Sequence, residues 1–488
     1  MKPSQMLMRH RSHALGLKVG AAILAAMLAG GCSIGSKSYD SPSLDVPSAW
    51  REPLVRDDDR FKPQQAWWKQ FHDPALDALL ERVLQANNTL AAAAATLKRA
   101  RTQAQLTGTN ITPDVGVSAS LSNAKSLRGE SSSTRTSSTS ASASYEIDIW
   151  GRLARLREVS DLEADATEYD RRAAALSLVG TAAKLYWQIG ELNGLIDITN
   201  AQIDNARNTV DIVSSQFSVG SANSVALEQA RGTYEGLQAD LTVLISQVEA
   251  SRNALAILSN QSPAQREPEL AGLQPMPDTG LPPALPADLL ARRPDLQAAE
   301  LRLRESLASA EASRLAFYPT FSLTGSLTAG GVSAGDLLKD PARTIGGALS
   351  LPFLQWNVAR LTSQVSRESF NIALINFRQT FYQALSDAQS AITASRQSSK
   401  EVVRRVAALE ANRNAQVIAE RRFRAGRTSA KEWLDAQQTA HLSALQLQQS
   451  IYTQYSNELT LFLALGGDPW AQTVRPSGSW SRFEPPSR

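Results

Sequence analysis

Between Pro113 and Pro263, and again between Pro352 and Pro469, the chain contains no proline. Within these runs apolar residues recur at spacings of three, four and seven. Ile196, Ile203, Ala206, Val210, Val213 and Phe217 form one row; after Gly220, Leu227, Tyr234, Leu237, Leu241, Leu244, Val248, Leu255 and Leu258 form another. An average near 3.5 residues is the seam of a coiled coil, and long proline-free runs suit very long helices.

Two regions switch to a period of two. Around Pro319, Phe321, Leu323, Gly325 and Leu327 alternate with Thr320, Ser322, Thr324, Ser326 and Thr328. The matching stretch after Pro113 alternates Val115, Val117, Ala119 and Leu121 with Asp114, Gly116, Ser118, Ser120 and Ser122. A second strand follows each: Ala143, Tyr145, Ile147 and Ile149 make one apolar row, and Ile345, Gly347, Leu349, Leu351 and Phe353 the other. Segments of about ten residues, apolar on one face and hydroxyl-rich on the other, are the pattern of barrel strands with lipid outside and water inside. A soluble sandwich alternates in the same way. Residues 126–140 and 331–344 read as exposed hairpin loops between paired strands. Trp150, Phe317, Tyr318, Phe353 and Trp356 fall where strand meets helix, as one aromatic belt at a membrane interface.

The first region reads helix 74–109, strand 113–122, strand 140–150, long helix 152–217, a turn at Val219-Gly220, and helix 223–260. At 1.5 Å per residue the long helix reaches roughly 100 Å. The same order returns once at a constant shift: Leu90 and Leu296, Pro113 and Pro319, Trp150 and Trp356, Phe217 and Phe423, Gly220 and Gly426, Pro263 and Pro469 all lie 206 positions apart. The chain is therefore two copies of one assembly. Four strands are too few to close a barrel without free edges, so several chains must share one.

The start of the chain carries a basic segment (Lys2, Arg9, Arg11, Lys18) and a short apolar run, Val19–Ala29, too short to span a bilayer. It reads as a cleaved secretory signal, residues 1–31. The single cysteine of the 488 residues, Cys32, follows in LAGGC, which resembles a bacterial lipobox with Ala29 at the usual aliphatic position. The resemblance implies lipidation of Cys32, and Ser33 after it implies sorting to the outer membrane. Without the four cations of the leader, 46 basic residues face 47 acidic ones, so the charge gives no reason to expect nucleic acid. One cysteine allows no internal disulfide. His72 and His441 are the only histidines beyond the leader and read as structural. No catalytic residue, no metal site and no cofactor other than the lipid on Cys32 is expected.

Five stretches in order carry a family resemblance: WWKQFHDPALDALLERVLQAN (67–87), YEIDIWGRL (145–153), LLARRPDLQAAE (289–300), AFYPTFSLTGS (316–326) and FRAGRTSAKEWLDAQQT (423–439). The chain resembles the outer-membrane efflux lipoproteins of the TolC superfamily, OprM/NodT-type branch. The resemblance implies a mixed, mainly α fold. Three chains would build a trimeric 12-stranded transmembrane β-barrel, four strands per chain, continuous with a long periplasmic α-helical barrel. It implies an exit duct of a tripartite efflux system, with a homotrimer, a periplasmic membrane-fusion adaptor, an inner-membrane RND-type pump and outer-membrane lipid as partners. The segments are then leader 1–31, lipidated segment 32–73, first repeat 74–263, equatorial linker 264–284, second repeat 285–469 and tail 470–488.

By the same resemblance the turns around Gly220 and Gly426, with Phe217, are tips that meet the adaptor. Asp435 falls on the aperture acid of the family, Glu432 on a neighbouring acidic position and Phe423 on the tip aromatic. Arg422, Arg424 and Lys431 complete the charges of the second tip; the first has Gln216, Ser218, Val225, Ala226 and Gln229 at the matching places. Lys431 stands where OprM-like members place an apolar constriction residue. The reading is that Asp435 and Glu432 pair with basic residues of the tip and hold a periplasmic gate shut. Two other readings are a duct for exported polypeptides and a lipid-anchored coiled-coil scaffold without a pore. An enzyme is the weakest reading, because no nucleophile motif has supporting context.

Overall fold

The computed structural model describes residues 39–40, 42–47, 50, 67–125, 133–276 and 292–467. The leader, Cys32, Pro469, the tail 470–488, most of 32–73 and part of the linker 264–284 lie outside the described residues. In chain order the elements are α1 (Pro74–Ala86), α2 (Asn88–Gly108), β1 (Asp114–Lys125), β2 (Ser133–Ile147), α3 (Arg152–Ser218), α4 (Ser224–Leu258), α5 (Pro294–Leu315), β3 (Thr320–Gly331), β4 (Ala342–Ser350), α6 (Trp356–Arg424) and α7 (Ala430–Ala464). Among the described residues no helix is long and apolar enough to cross a membrane.

The duplication is written into these bounds. Strands β1 and β3 start and end 206 residues apart, as do helices α4 and α7. Positive φ angles repeat at the same shift: 77° at Gly220 and 67° at Gly426, 54° at Asn260 and 78° at Gly466. Contacts divide the chain into two compact units, each drawing on both copies. One contains residues 100–164 and 301–375, the other 44–99, 165–300 and 376–467.

In the second unit, Asp73 caps α1, its Oδ1 accepting from the amides of Ala75 at 2.9 Å and Leu76 at 3.2 Å, with Pro74 at the first helical position. Leu76, Leu79, Leu80 and Val83 then bury one face at helical spacing. The expected single helix 74–109 is two helices. Asn87 leaves the helical region at ψ 126°, its Oδ1 accepts from the Leu90 amide at 3.1 Å, and its Nδ2 donates to the Leu258 carbonyl at 2.9 Å. A side chain that satisfies the ends of two helices stabilises a break that periodicity does not reveal.

The core of this unit gathers Trp67, Trp68, Val179, Tyr186, Trp187, Ile189, Leu255, Leu459 and Phe462. Trp67 stacks on Phe462 at 5.4 Å, and Phe71 meets Trp187 edge-on at 4.8 Å. Helix α3 approaches α7 closely at Gly194, where a Cβ would lie 2.6 Å from Gln448 Nε2. Part of the linker packs here too: Asn193 donates to the Leu270 carbonyl at 2.9 Å, and Arg252 pairs with Glu269.

The seam of α3 differs from the expected row. Leu195, Thr199, Gln202, Ala206, Thr209 and Val213 are buried, while Ile196, Ile203 and Val210 are half-buried beside them. The heptad period holds and Ala206 and Val213 keep their expected places, but the alternate positions lie one residue earlier, at Leu195, Gln202 and Thr209, and half of the seam is polar. Apolar counting cannot find a stripe that contains Thr and Gln.

In the first unit the four strands form one antiparallel sheet in the order β1-β2-β3-β4. Strand β2 is longer at its start than expected, because Ser133 to Ser140, read as loop, pair with Lys125 to Ser118 of β1. Likewise Gly331 ends β3, and Ala342 to Thr344 belong to β4 rather than to the loop 331–344. At the other ends the strands are shorter. Asp148 leaves β2 to cap α3, accepting from the amides of Leu153 at 3.1 Å and Ala154 at 2.8 Å. Pro352, lacking an N–H, stops β4 at Ser350, so Leu351 and Phe353 lie beyond the ladder around a short 3-10 turn, Pro352–Leu354.

Candidate functional site

Register places the alternating residues of all four strands together. Val115 pairs with Ala143, Ala143 with Gly325, and Gly325 with Ile345; the next rows join Val117, Ala141 and Leu327, and Ile147, Phe321 and Leu349. Every apolar row thus lies on one face, and most of its large side chains are exposed in the single chain, Val117 by 76% and Ile345 by 71%, while Tyr145 and Phe321 are half-buried. The other face carries hydroxyls. Ser120 and Ser138 share a hydrogen bond at 2.8 Å, Ser122 and Thr136 one at 2.7 Å. Ser137, on the apolar side, is buried and donates to the Gly331 carbonyl at 3.1 Å. Such a sheet needs an apolar medium on one face and water on the other. Strands β1 and β4 pair on one side only, so both edges of the sheet stay open.

The five aromatics lie at the helix-bearing ends of these strands. Trp150 and Tyr318 are 5.3 Å apart, Trp150 Nε1 donates to the Pro319 carbonyl at 2.7 Å, and Arg314 donates to the Tyr318 hydroxyl at 3.2 Å. Phe317 is half-buried, whereas Phe353 and Trp356 stand exposed. The rings belong to side chains that are apolar in body, and the polar tips of Trp150 and Tyr318 are hydrogen-bonded.

In the other unit, both tips end in the same backbone device. Gly220 N–H bonds the Phe217 carbonyl at 3.0 Å and Ser221 N–H the Gln216 carbonyl at 2.8 Å; Gly426 bonds Phe423 and Arg427 bonds Arg422, each at 2.9 Å. These are Schellman caps, in which the positive φ favours glycine. Asn223 opens α4 by accepting from the Ala226 amide at 2.9 Å.

The tips are not equivalent. Phe217 is 44% exposed and Phe423 only 6%. Phe423 stacks on Trp433 at 4.9 Å, against Val213, Leu227 and Ala430. The residue 206 places before Trp433 is Leu227, which offers no ring to stack on. Trp433 and the buried polar seam are the residues that sequence reasoning did not single out; a heptad count from Ala430 would have reached both Trp433 and Gln437.

Around this cluster lie the charges. Lys431 Nζ donates to Asp435 at 2.7 Å, one helical turn away, and Arg424 pairs with Glu420 at 2.7 Å. Lys431 and Asp435 are both exposed, and an exposed pair contributes about 0–1 kcal/mol. Arg422 and Glu432 are exposed as well. Glu191 and His441 are buried elsewhere on the helices of this unit. Burial pushes the Glu191 carboxyl up to about 7. Burial also lowers the His441 imidazole, against the opposing pull of Asp240. Among the described residues no cluster of His, Cys, Asp and Glu could hold a metal ion.

Known proteins share this arrangement. The family model for outer membrane efflux protein matches residues 79–261 and 285–467, two stretches again 206 apart. The pyoverdine export outer membrane protein OpmQ of Pseudomonas putida is 30% identical, over 87% of this chain and 93% of its own. The probable efflux pump outer membrane protein TtgC of the same species is 27% identical, over 92% and 95%. The open-state structure of the Neisseria gonorrhoeae MtrE outer membrane channel superposes with a TM-score of 0.79 at 24% identity, over 90% of this chain and 99% of that one, a likeness of fold. With both halves of the repeat matched, the chain belongs to the outer membrane efflux protein family.

Proposed function

We propose that the chain forms the exit duct of a tripartite efflux system. Three copies close one twelve-stranded barrel in the outer membrane, continuous with a periplasmic tunnel of helices. Small toxic compounds pass through it from an inner-membrane RND-type pump by way of a periplasmic adaptor. The observation that carries this reading is the open four-stranded sheet, apolar on one face, hydroxylated on the other and unpaired at both edges. In a membrane an unpaired edge costs several kcal/mol per exposed group, so the sheet must be closed by others like itself.

The duct needs a path and a constriction, and no bond-making chemistry or resident cofactor. Ser and Thr of the inner face keep the wall hydrated. Trp150, Phe317, Tyr318, Phe353 and Trp356 sit at the periplasmic interface of the outer membrane. Lipid on Cys32 anchors the start of the mature chain. The tips at Gly220, with Phe217, and at Gly426 meet the adaptor. Asp435, Glu432, Lys431, Arg422 and Arg424, braced by Phe423, line the periplasmic aperture, and adaptor contacts favour its spread state.

The test is purification of the full chain from the outer membrane in detergent. A heat-modifiable trimer that gives unitary conductance steps in planar bilayers is expected, with labelled palmitate incorporated by the wild type and not by Cys32→Ser. A monomer without conductance would leave the scaffold reading in its place.

A further inference from the structure

The sheet has a hairpin end, where 126–132 and 332–341 connect its strands, and a helix end. On its apolar face, the odd-numbered positions of β2 from Ile147 to Ser137 span ten residue steps. At 3.4 Å per residue and a tilt near 40° this is about 26 Å of height, the thickness of an outer-membrane apolar band. The next positions on the same face are Arg135, opposite Asn123, and Lys125, opposite Ser133. Arg343 of β4 also lies on this face, paired with Leu327. The ladder is staggered: β1 begins at Asp114, level through Ser144 and Thr324 with Gly346, four residues before β4 ends at Ser350. Tilted strands about 4.8 Å apart gain about 3 Å per step, so the three steps from β1 to β4 lift Arg343 to the level of Leu121. From there its long side chain reaches toward the zone of Arg135 and Lys125.

All three cations are exposed. The acids of the strands, Asp114 and Glu146, both lie on the hydroxyl face toward the helix end, and Glu146 is already paired with Arg152 at 2.8 Å. The apolar face therefore carries positive charge alone, confined to its upper rim. We infer that Lys125, Arg135 and Arg343 form a cationic collar that holds the phosphate monoesters of the outer-leaflet glycolipid, lipid A, around the barrel. This rests on reading the sheet as the membrane wall. Cations standing directly on a hydrocarbon-facing surface meet lipid headgroups first, and guanidinium and ammonium groups alike hold phosphate through charge-assisted hydrogen bonds. A soluble acidic partner would have no use for the apolar rows beneath.

The full-length wild type and the triple variant Lys125→Gln/Arg135→Gln/Arg343→Gln are reconstituted in nanodiscs of zwitterionic phospholipid. Each receives lipid A, enzymatically dephosphorylated lipid A, or inorganic phosphate in the buffer. Retained lipid is counted by native mass spectrometry after detergent extraction. The wild type should retain lipid A alone, and the triple variant should retain it roughly a hundredfold less, from about fivefold per cation. The charge-preserving variant Lys125→Arg/Arg135→Lys/Arg343→Lys should retain it as the wild type does. Equal retention by wild type and the inserted, conducting Gln variant overturns the collar alone, as does equal retention of dephosphorylated lipid or of inorganic phosphate. Failure of the wild type itself to insert overturns the membrane-wall reading beneath it.

Discussion

Gln437 of α7 donates its amide to the Thr209 hydroxyl of α3 at 3.3 Å, and both side chains are buried. Thr209 in turn donates to the Asn205 carbonyl at 2.8 Å, so the hydroxyl is used in both directions. The bond joins a helix of the first copy to a helix of the second, inside a seam that apolar side chains would otherwise fill. A polar pair in such a seam sets register, because sliding either helix leaves the Gln437 amide without its partner, while Thr209 keeps only its own-helix bond. Thr209→Val should cost about 1–3 kcal/mol by stranding the Gln437 amide. The double variant Thr209→Val/Gln437→Leu should cost less than the sum of its single changes. Thermal unfolding of the four proteins in detergent gives the cycle; additive losses would mean the pair carries no coupling.

Trp433 fills the second tip. Removing it in Trp433→Ala opens a cavity beside Phe423 and Val213, and the usual cost of such a truncation is about 3–5 kcal/mol. The loss is local, so the helix ends around Arg421, Arg422, Arg424 and Arg427 should fray first. Limited trypsin digestion should cut there faster in the variant, while Phe217→Ala, which removes an exposed ring, should leave cutting at the flanking Arg207 and Arg231 near the wild-type rate.

The Lys431–Asp435 pair lies across one exposed turn of α7. Its worth in one chain is small, so any hold on an aperture comes from threefold repetition. Asp435→Ala should raise single-channel conductance in planar bilayers, and added salt should narrow the difference by screening the wild-type charges. Unchanged conductance would remove Asp435 from the constriction.

Glu191 is neutral in its buried site at low pH, with its carboxyl raised from 4.5 to about 7 by burial. A raised folded value means the associated stability is fully present below about 4.5 and is lost as pH climbs through about 7. The size of this loss is on the order of 3 kcal/mol. His441 acts in the opposite direction: its folded value is depressed, so stability is present above the ordinary histidine value and lost as pH falls below it. Glu191→Gln should therefore flatten the decline in apparent Tm between pH 5 and 8 on the alkaline side, and His441→Gln the decline on the acid side. Parallel Tm profiles for wild type and Glu191→Gln would show that Glu191 stays ionised.

Much of the fold can be read from residue order because it depends on local periodicity. Gly220 and Gly426 mark the tips, since a Schellman cap needs a positive φ. The alternation at Val115 and Val117, and again at Leu323 and Leu327, survives into the ladder because one slipped residue would turn every side chain to the wrong face. Less legible was the stretch Ser133 to Ser140. Serine and threonine suit a loop or a strand, and only pairing with Ser118 to Lys125 makes it a strand.

From its residues alone the chain was committed to two copies of one element order, to long helices and to a sheet of two chemically distinct faces, because heptad spacing, alternation and proline placement act within a few residues of each position. Packing between elements, within a copy and across the two, chose the rest. It moved the α3 seam onto Thr199, Gln202 and Thr209, broke the first helix at Asn87, and buried Phe423 while leaving Phe217 exposed. Those outcomes depend on which partner stands opposite, Gln437, Leu258 or Trp433, and a partner about 170 or more residues away, or on another helix, leaves no mark on local spacing.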